Sequence, residues 1–483
     1  MRRHREFFRI HNCRRIYDRA QGKFSFNISY STAVSITPRT TAVAEAFGLG
    51  LDESQKFTVL DVTVKIKPTD IVYVTGDSGS GKSVLLRALK EDLAGDVADI
   101  ADVDVDPARP IIETVGETVE KGLELLSKVG LNDAFLFLRS YSQLSDGQKY
   151  RYRVAKLLES GKAWWILDEF AATLDRDTAK ILSWNVQKLA RQEGKCVIAA
   201  TTHNDLFHDL QPDVHIHKRF GKEIKVGYRR NVKPGPCSLV KQMVVEEGLL
   251  RDWRALAQFH YRSHNVPPPR KIFALKRKWH ELCGVIVYTY PPPACAGRRL
   301  MLPHLPMHEV NKILSNVSRV VIHPKYRSLG LGARLIHETL PLVGTDCVEM
   351  TAVMAKYNPF AEKAGMQKVA VQMPSKEAVK IRDLLEEVGF DIRFLNSKKH
   401  VQERLSRLDQ DDILKIKAAF MKYKHPRFLK TFTSHVPFGQ KEIYQGHVAD
   451  AGLERLGDLI RTASFLLQTK VYLFWRRGDI HRQ

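Results

Sequence analysis

Eight consecutive residues, Gly76-Asp77-Ser78-Gly79-Ser80-Gly81-Lys82-Ser83, have the composition of a main-chain phosphate cradle. Glycines at these intervals let the backbone close around an anion, so that successive N–H groups point at the same oxygens. An apolar run, Ile71 to Thr75, precedes the loop and a helical pattern, VLLRALK, follows it. The partial positive charge of a helix N-terminus therefore stands behind the cradle. In such a site the lysine reaches the β- and γ-phosphates and the following hydroxyl holds Mg²⁺. Gly76, Ser78, Gly79, Gly81, Lys82 and Ser83 are the expected ligands of ATP, with Ser83 also on the metal.

Further residues follow in an order that extends this chemistry. Trp164-Trp165-Ile166-Leu167-Asp168-Glu169 is an apolar strand ending in two carboxylates. There Asp168 is expected to hold the water shell of Mg²⁺ and Glu169 to polarise the attacking water. His203 follows another apolar run, CVIAATT, and is expected to sense the γ-phosphate. Taken singly, an acidic pair can be a helix cap and a histidine a satisfied core residue. Together with Leu144-Ser145-Asp146-Gly147-Gln148 and Leu174-Asp175, residues 20 to 232 resemble an ABC-type ATPase. That resemblance implies a signature loop at Ser145 and Gly147 and a D-loop at Asp175, closing over ATP bound by a second copy in a head-to-tail homodimer. The sequence departs from the family at Asp146, where a small residue is usual. No glutamine of the Q-loop type stands between Ser83 and Leu144, where DVDVDPARPIIETV runs instead. Phe47 is a candidate for stacking on adenine or for the core.

A second glycine-bearing loop, Arg327-Ser328-Leu329-Gly330-Leu331-Gly332-Ala333, lies between a strand pattern, VSRVVIHP, and a helical one, ARLIHETLPLV. Main-chain amides at that helix start would again face an anion. The segment resembles the coenzyme loop of GNAT acyltransferases over residues 245 to 375. The resemblance implies that Ile322, Arg327, Leu329, Gly330, Leu331, Gly332, Ala333 and Asn358 contact acetyl-CoA or another acyl-CoA. It also implies that Tyr357 protonates the departing thiolate while main-chain amides polarise the thioester carbonyl. Glu349, His323 and His260 are general-base candidates by residue type alone. Phe259-His260-Tyr261-Arg262 with VPPPRKIFAL and CGVIVY resembles Mom-type GNAT proteins, which modify adenine in phage DNA. The two-part order resembles a chiefly archaeal family of fusions.

The elements that must carry these residues alternate in α/β fashion up to Val232, and KPGPC (Lys233 to Cys237) interrupts regular structure. The expected organisation is a basic N-terminal arm (1–22), an ABC-type ATPase domain (23–232), a linker (233–244), an α+β GNAT-like domain (245–375) and a mostly helical, basic C-terminal region (376–483). With 483 residues the chain exceeds one ordinary core. Its 76 Lys and Arg against 54 Asp and Glu give a net charge of +22. That surplus points to nucleic acid, tRNA or another RNA before DNA. Six cysteines without metal or CxxC spacing suit reduced thiols in a cytoplasmic protein. The basic start has no apolar segment of signal-peptide type, and no run is long enough to span a bilayer. The expected activities are ATP hydrolysis and N-acyl transfer to nucleic acid. The alternatives are a nucleic-acid or ribosome-binding ABC switch with a non-catalytic GNAT fold, a protein acetyltransferase, and a transporter ATPase subunit, the last disfavoured by the extra basic regions.

Overall fold

The computed structural model describes all residues except 1–7, 33–34, 51–55, 94, 261–264, 294, 296, 357, 424, 433–440 and 479–483. Three sheets organise them. The first joins β1 (Phe8–Asp18), β2 (Lys23–Thr32) and β3 (Lys56–Lys65) in antiparallel order. The expected basic arm is thus a strand from Phe8 onward. Its charged residues hide the alternation, and it is held by main-chain pairing to β2 and by the ion pair from Arg15 to Glu91.

The second sheet contains β4 (Ile71–Thr75), β5 (Val97–Asp99), β6 (Trp164–Leu167), β7 (Cys196–Thr201), β8 (Val214–Lys218) and β9 (Ile224–Tyr228). Their order is β5-β6-β7-β4-β8-β9, parallel throughout except for the β8–β9 hairpin. Strand β4 is buried at every position, as its unbroken apolar sequence requires between two covered faces. One face packs Tyr73, Leu167 and Val197 with Tyr152 and Leu182; the other packs Val72, Ile166 and Ile198 with Leu85 and Phe24.

The third sheet has the order β10-β11-β12-β13-β14-β16-β15. Its strands are β10 (Met243–Glu247), β11 (Pro269–Arg277), β12 (Glu281–Thr289), β13 (Leu314–Ile322), β14 (Cys347–Ala352), β15 (Gln367–Gln372) and β16 (Lys470–Arg476). Strands β13 and β14 run parallel, connected through the second glycine loop and the helix Leu331–Thr339. Between β15 and β16 lies a helical block from Lys376–Glu387 to Leu453–Leu466 with its own core around Phe420, Tyr444 and Leu459. The region from 376 onward does not end as helix: VYLFW forms β16, which inserts between β14 and β15 because its alternate residues complete that sheet's apolar faces.

The chain divides into two compact units, Met1–Val266 with Ile272–Ile286 and Arg319–Leu335, and Pro267–Lys271 with Val287–Ser318 and Ile336–Gln483. Lys233 is not the point of division. No helix among the described residues is long and apolar enough to cross a membrane. All six cysteines are free.

Within the second unit, Glu349 on β14 is fully buried. Arg298 donates to both of its carboxylate oxygens, at 3.0 and 2.6 Å, and the Tyr472 hydroxyl donates at 3.0 Å. Arg298 also donates to the Pro292 carbonyl at 2.7 Å, so the pair ties the proline turn to the sheet. Removing one charge leaves the other desolvated and unmatched, which costs about 3–5 kcal/mol. Glu349→Gln is therefore expected to lower the urea midpoint strongly, and the double change Arg298→Met with Glu349→Leu to recover most of the loss. Equal destabilisation by both would contradict the charge argument.

Candidate functional site

The first glycine loop leaves the C-terminal end of β4 and enters the helix Lys82–Asp92 directly after Gly81. Gly76, Gly79 and Gly81 have φ of 144°, 75° and 100°, in the region that L side chains avoid. A Cβ on Gly76 would stand 1.9 Å from the Lys218 carbonyl oxygen, and one on Gly81 would meet Val59 Cγ1 at 2.5 Å. The cradle is therefore a piece of main chain packed closely on β3 and β8. Lys82 Nζ lies at its mouth, donating to the Gly76 and Asp77 carbonyls at 2.8 and 2.7 Å. Burial lowers its pKa, an effect partly opposed by the nearby Asp168 charge. Ser80 Oγ is buried without a hydrogen-bond partner, and Ser78 and Ser83 are exposed. Glycine turns of positive φ, a buried hydroxyl without a protein partner and a lysine at the rim fit a polyphosphate with Mg²⁺.

The carboxylates follow β6. Asp168 Oδ1 accepts from the Glu169 amide at 2.9 Å, and the Phe170 amide donates to Ala200 on β7 at 2.6 Å. Glu169 and Ala171 hold φ of 49° and 57°, a local strain of order 1 kcal/mol each that keeps the Glu169 side chain exposed. His203 follows β7, its amide donating to Thr201 Oγ1 at 3.3 Å and its carbonyl accepting from the Tyr73 hydroxyl. Main-chain fixation leaves its half-buried ring to act.

Ser145 caps the helix Asp146–Glu159 in a reciprocal box with Gln148. Asp146 occupies that helix's first turn, where the dipole favours a carboxylate, which gives its departure from the family a local reason. A Cβ on Gly147 would meet Leu174 Cδ2 at 2.9 Å, so signature and D-loop of one chain are in close contact. Asp175 caps the next helix, Arg176–Glu193, accepting from the Thr178 amide and hydroxyl at 3.2 and 2.5 Å. After β5, Asp99 and Asp102 accept from Lys90 at 2.7 and 2.6 Å.

Two residues beyond Asp175, Asp177 Oδ2 receives Lys325 Nζ and Arg277 Nη1, each at 2.7 Å. Lys325 also reaches Asp175 at 3.7 Å. Arg277 donates to the Tyr326 hydroxyl at 3.0 Å, and that hydroxyl donates to Glu281 at 2.6 Å. Burial pushes the Asp177 carboxyl up, but the two cations outweigh it and hold the pKa below the usual range. The D-loop and the segment entering the second glycine loop therefore share one ionic cluster, which sequence patterns do not reveal.

In that second loop Ser328 and Gly330 have φ of 77° and 75°, and a Cβ on Gly330 would meet open space. Leu329 and Leu331 are buried, so only their main chain is available to a ligand. The Arg327 guanidinium donates to the carbonyls of Ile322, Asn132 and Phe259 at 3.0, 2.6 and 3.3 Å. Its side chain is a brace for the loop. Asn185 Nδ2 donates to Ser328 Oγ at 2.9 Å. Gly332 and Ala333 lie in the first turn of Leu331–Thr339. His323 Nδ1 accepts from the Lys325 amide at 3.3 Å, and burial lowers its pKa. The His260 ring packs against Trp253. Glu349, filled by Arg298 and Tyr472, has no free role as a base. Asn358 is exposed in the second unit, whereas Tyr357, Tyr261 and Arg262 lie outside the described residues.

Comparison with known sequences points the same way for the first part. The family model described as ABC transporter matches residues 59–172. The methionine import ATP-binding protein MetN of Latilactobacillus sakei is 26% identical over 236 residues, 41% of this chain and 68% of that protein. The cytochrome c biogenesis ATP-binding export protein CcmA of Ruegeria pomeroyi is 28% identical, over 37% of this chain and 89% of its own length. The ribosome protection protein VmlR of Bacillus subtilis is 30% identical over 148 residues, 31% of this chain and 26% of that one. A solved dimeric ATP-binding cassette bound to ADP and Pi is 20% identical with a TM-score of 0.31, covering 37% of this chain and 93% of that chain.

Two outcomes follow. Glu169→Gln should retain MgATP binding while hydrolysis drops by about 10²–10⁴-fold, read by phosphate release. Asp177→Asn should destabilise by about 2 kcal/mol at neutral pH. Because the folded pKa is depressed, that contribution is present above the unfolded carboxylate value of about 4 and is lost as pH falls through the folded one. The stability gap between variant and parent should close on acidification, and a gap constant with pH would disprove the ionic origin.

Proposed function

We propose that this chain, whose N-terminal part is an ABC-type ATPase domain using ATP and Mg²⁺, couples its nucleotide cycle to acyl-CoA-dependent N-acyl transfer onto nucleic acid, tRNA before DNA. The observation that carries the coupling is the Asp177 cluster: Lys325 joins the D-loop to the residues that enter the second glycine loop. A D-loop lies where two cassettes meet in a head-to-tail dimer. Closure around ATP therefore reaches Lys325 through Asp175 and Asp177, and the loop moves or stiffens with it.

Several features support an acyl-CoA at that loop. It turns, with φ positive at Ser328 and Gly330, into the helix that links the parallel strands β13 and β14. Open α/β arrangements bind ligands at such carboxyl ends, and helix-start amides suit a diphosphate. An acceptor amine attacks the thioester carbonyl, the C–S bond breaks, the amine nitrogen gives its proton to solvent, and the thiolate takes one from an acid that solvent reprotonates; the family resemblance gives that acid as Tyr357, outside the described residues. The net charge of +22 supports a polyanionic acceptor.

A second reading has its own support. His323 is turned to a main-chain amide and Glu349 is saturated, so the two carry no base, and part of VmlR, a ribosome protection protein, is similar in sequence. On that reading the second part is a binding module and the chain an ATP-driven ribosome or RNA switch.

Incubating the full-length protein with ¹⁴C-acetyl-CoA, MgATP and bulk tRNA separates the two. The first reading expects label on tRNA, none with Gly332→Trp, and loss of ATP dependence with Lys325→Ala while CoA still binds. Label on protein alone defeats the acceptor assignment. Absence of CoA binding by calorimetry, with ATP-dependent ribosome or RNA binding, selects the second.

A further inference from the structure

Strand β8 alternates, and its buried face carries Val214, Ile216 and Lys218. The first two belong to the apolar cluster that contains Val59, Leu85 and Phe24. A period of two calls for a third apolar residue at position 218, and the sequence puts an ammonium there. Lysine is almost never fully buried unless it is paired. Lys218 is fully buried, and its Nζ donates to the carbonyls of Arg219 and Gly221 at 2.5 Å each. Those dipoles accept from two of its N–H groups and leave its charge unmatched. Burial is the whole cause of its lowered pKa, whereas at Lys82 the carboxylates of Asp168 and Asp77 oppose that effect. Among the described residues no carboxylate pairs with Lys218.

This residue meets the phosphate cradle at two separate places. Its carbonyl oxygen would stand 1.9 Å from a Cβ on Gly76, the first residue of the loop. Its side-chain Cε would stand 3.7 Å from a Cβ on Gly81, the last glycine before the helix Lys82–Asp92. The ammonium nitrogen is one bond beyond that carbon. Attraction between an ammonium and a polyphosphate needs a short distance and little screening by water, and neither a shared hydrogen bond nor a particular face of the loop. Contact with Gly81 supplies the first condition, and burial the second.

We propose that Lys218 is a second, buried cation of the nucleotide site, whose charge no described group of the chain balances and whose counter-ion is the polyphosphate held by the loop from Gly76 to Ser83. Lys218 acts through the cradle and is a positioning residue for the phosphates. Its pull grows with the charge of the ligand and is indifferent to the nucleoside. Keeping an unmatched ammonium in an apolar face costs stability, so the residue improves binding at the expense of folding. This inference rests on the ATPase domain alone and is independent of acyl transfer.

Calorimetry on the full chain with MgATP, MgADP and magnesium tripolyphosphate, beside urea unfolding without ligand, tests it. Lys218→Met removes the charge and keeps an unbranched apolar stem. Arg219 and Gly221 are exposed, so their carbonyls take water in the variant, and its urea midpoint is expected to be unchanged or raised. Affinity for MgATP and for tripolyphosphate should fall by about tenfold or more, and for the less charged MgADP by a smaller factor. Lys218→Gln, which still donates to a turn carbonyl but carries no charge, should show the same graded loss. Weakening graded by ligand charge in either variant supports the proposal wherever the midpoint falls. Equal weakening of all three ligands with a lowered midpoint would mean that Lys218 merely props the turn. Affinities that Lys218→Gln restores, or that neither variant alters, would assign the residue to its carbonyl acceptors alone. Each of these last results overturns the proposal.

Discussion

A carboxylate with two cations on it governs how the first unit is assembled. Asp177 stands in the first turn of Arg176–Glu193, where the helix dipole already favours a negative charge. Lys325 and Arg277 arrive from segments about a hundred and more residues later and meet the same oxygen. All three side chains are more than half buried, so water screens the attraction far less than on an open surface. Desolvated charges in this setting are costly to separate, and the cluster keeps the end of β11 and the segment after β13 on the D-loop. The same constraint explains why the compact units do not divide at the proline-rich segment near Lys233.

The phosphate cradle obeys a different constraint, that of contact distance. Gly76 and Gly81 are boxed in by the Lys218 carbonyl and by Val59, so no side chain fits at either position. A prearranged set of amides needs no reorganisation on binding, which is the condition under which main-chain dipoles are most effective. Glu169 extends the theme: its left-handed backbone is held by the hydrogen bond to Asp168 and by the anchoring of Phe170 to β7.

The second loop shows how one residue type can serve two ends. Arginine in a glycine-rich turn suggests a ligand for phosphate, but the partly buried Arg327 donates to three carbonyls. Glu349 similarly suggests a base, and Arg298 with Tyr472 makes it a structural anion. Groups already saturated in this way hold geometry.

The phosphate cradle and the elements around it were legible in the sequence because each is local. A phosphate cradle, a strand ending in Asp168 and Glu169, and a serine-capped helix are each made by contiguous residues, so spacing alone specifies them. Strand β4 was equally plain, since burial on both faces demands an unbroken apolar run. What the sequence left open depends on partners far along the chain. Strand β1 is disguised by its arginines until β2 supplies the pairing, and VYLFW is a strand only because β14 and β15 leave a place between them. That Arg327 and Glu349 are taken up by partners of this chain, and that Asp177 binds Lys325, were decided by tertiary structure. Those roles follow from which atoms lie within a few ångströms of a side chain, a property of packing and of no single stretch of residues.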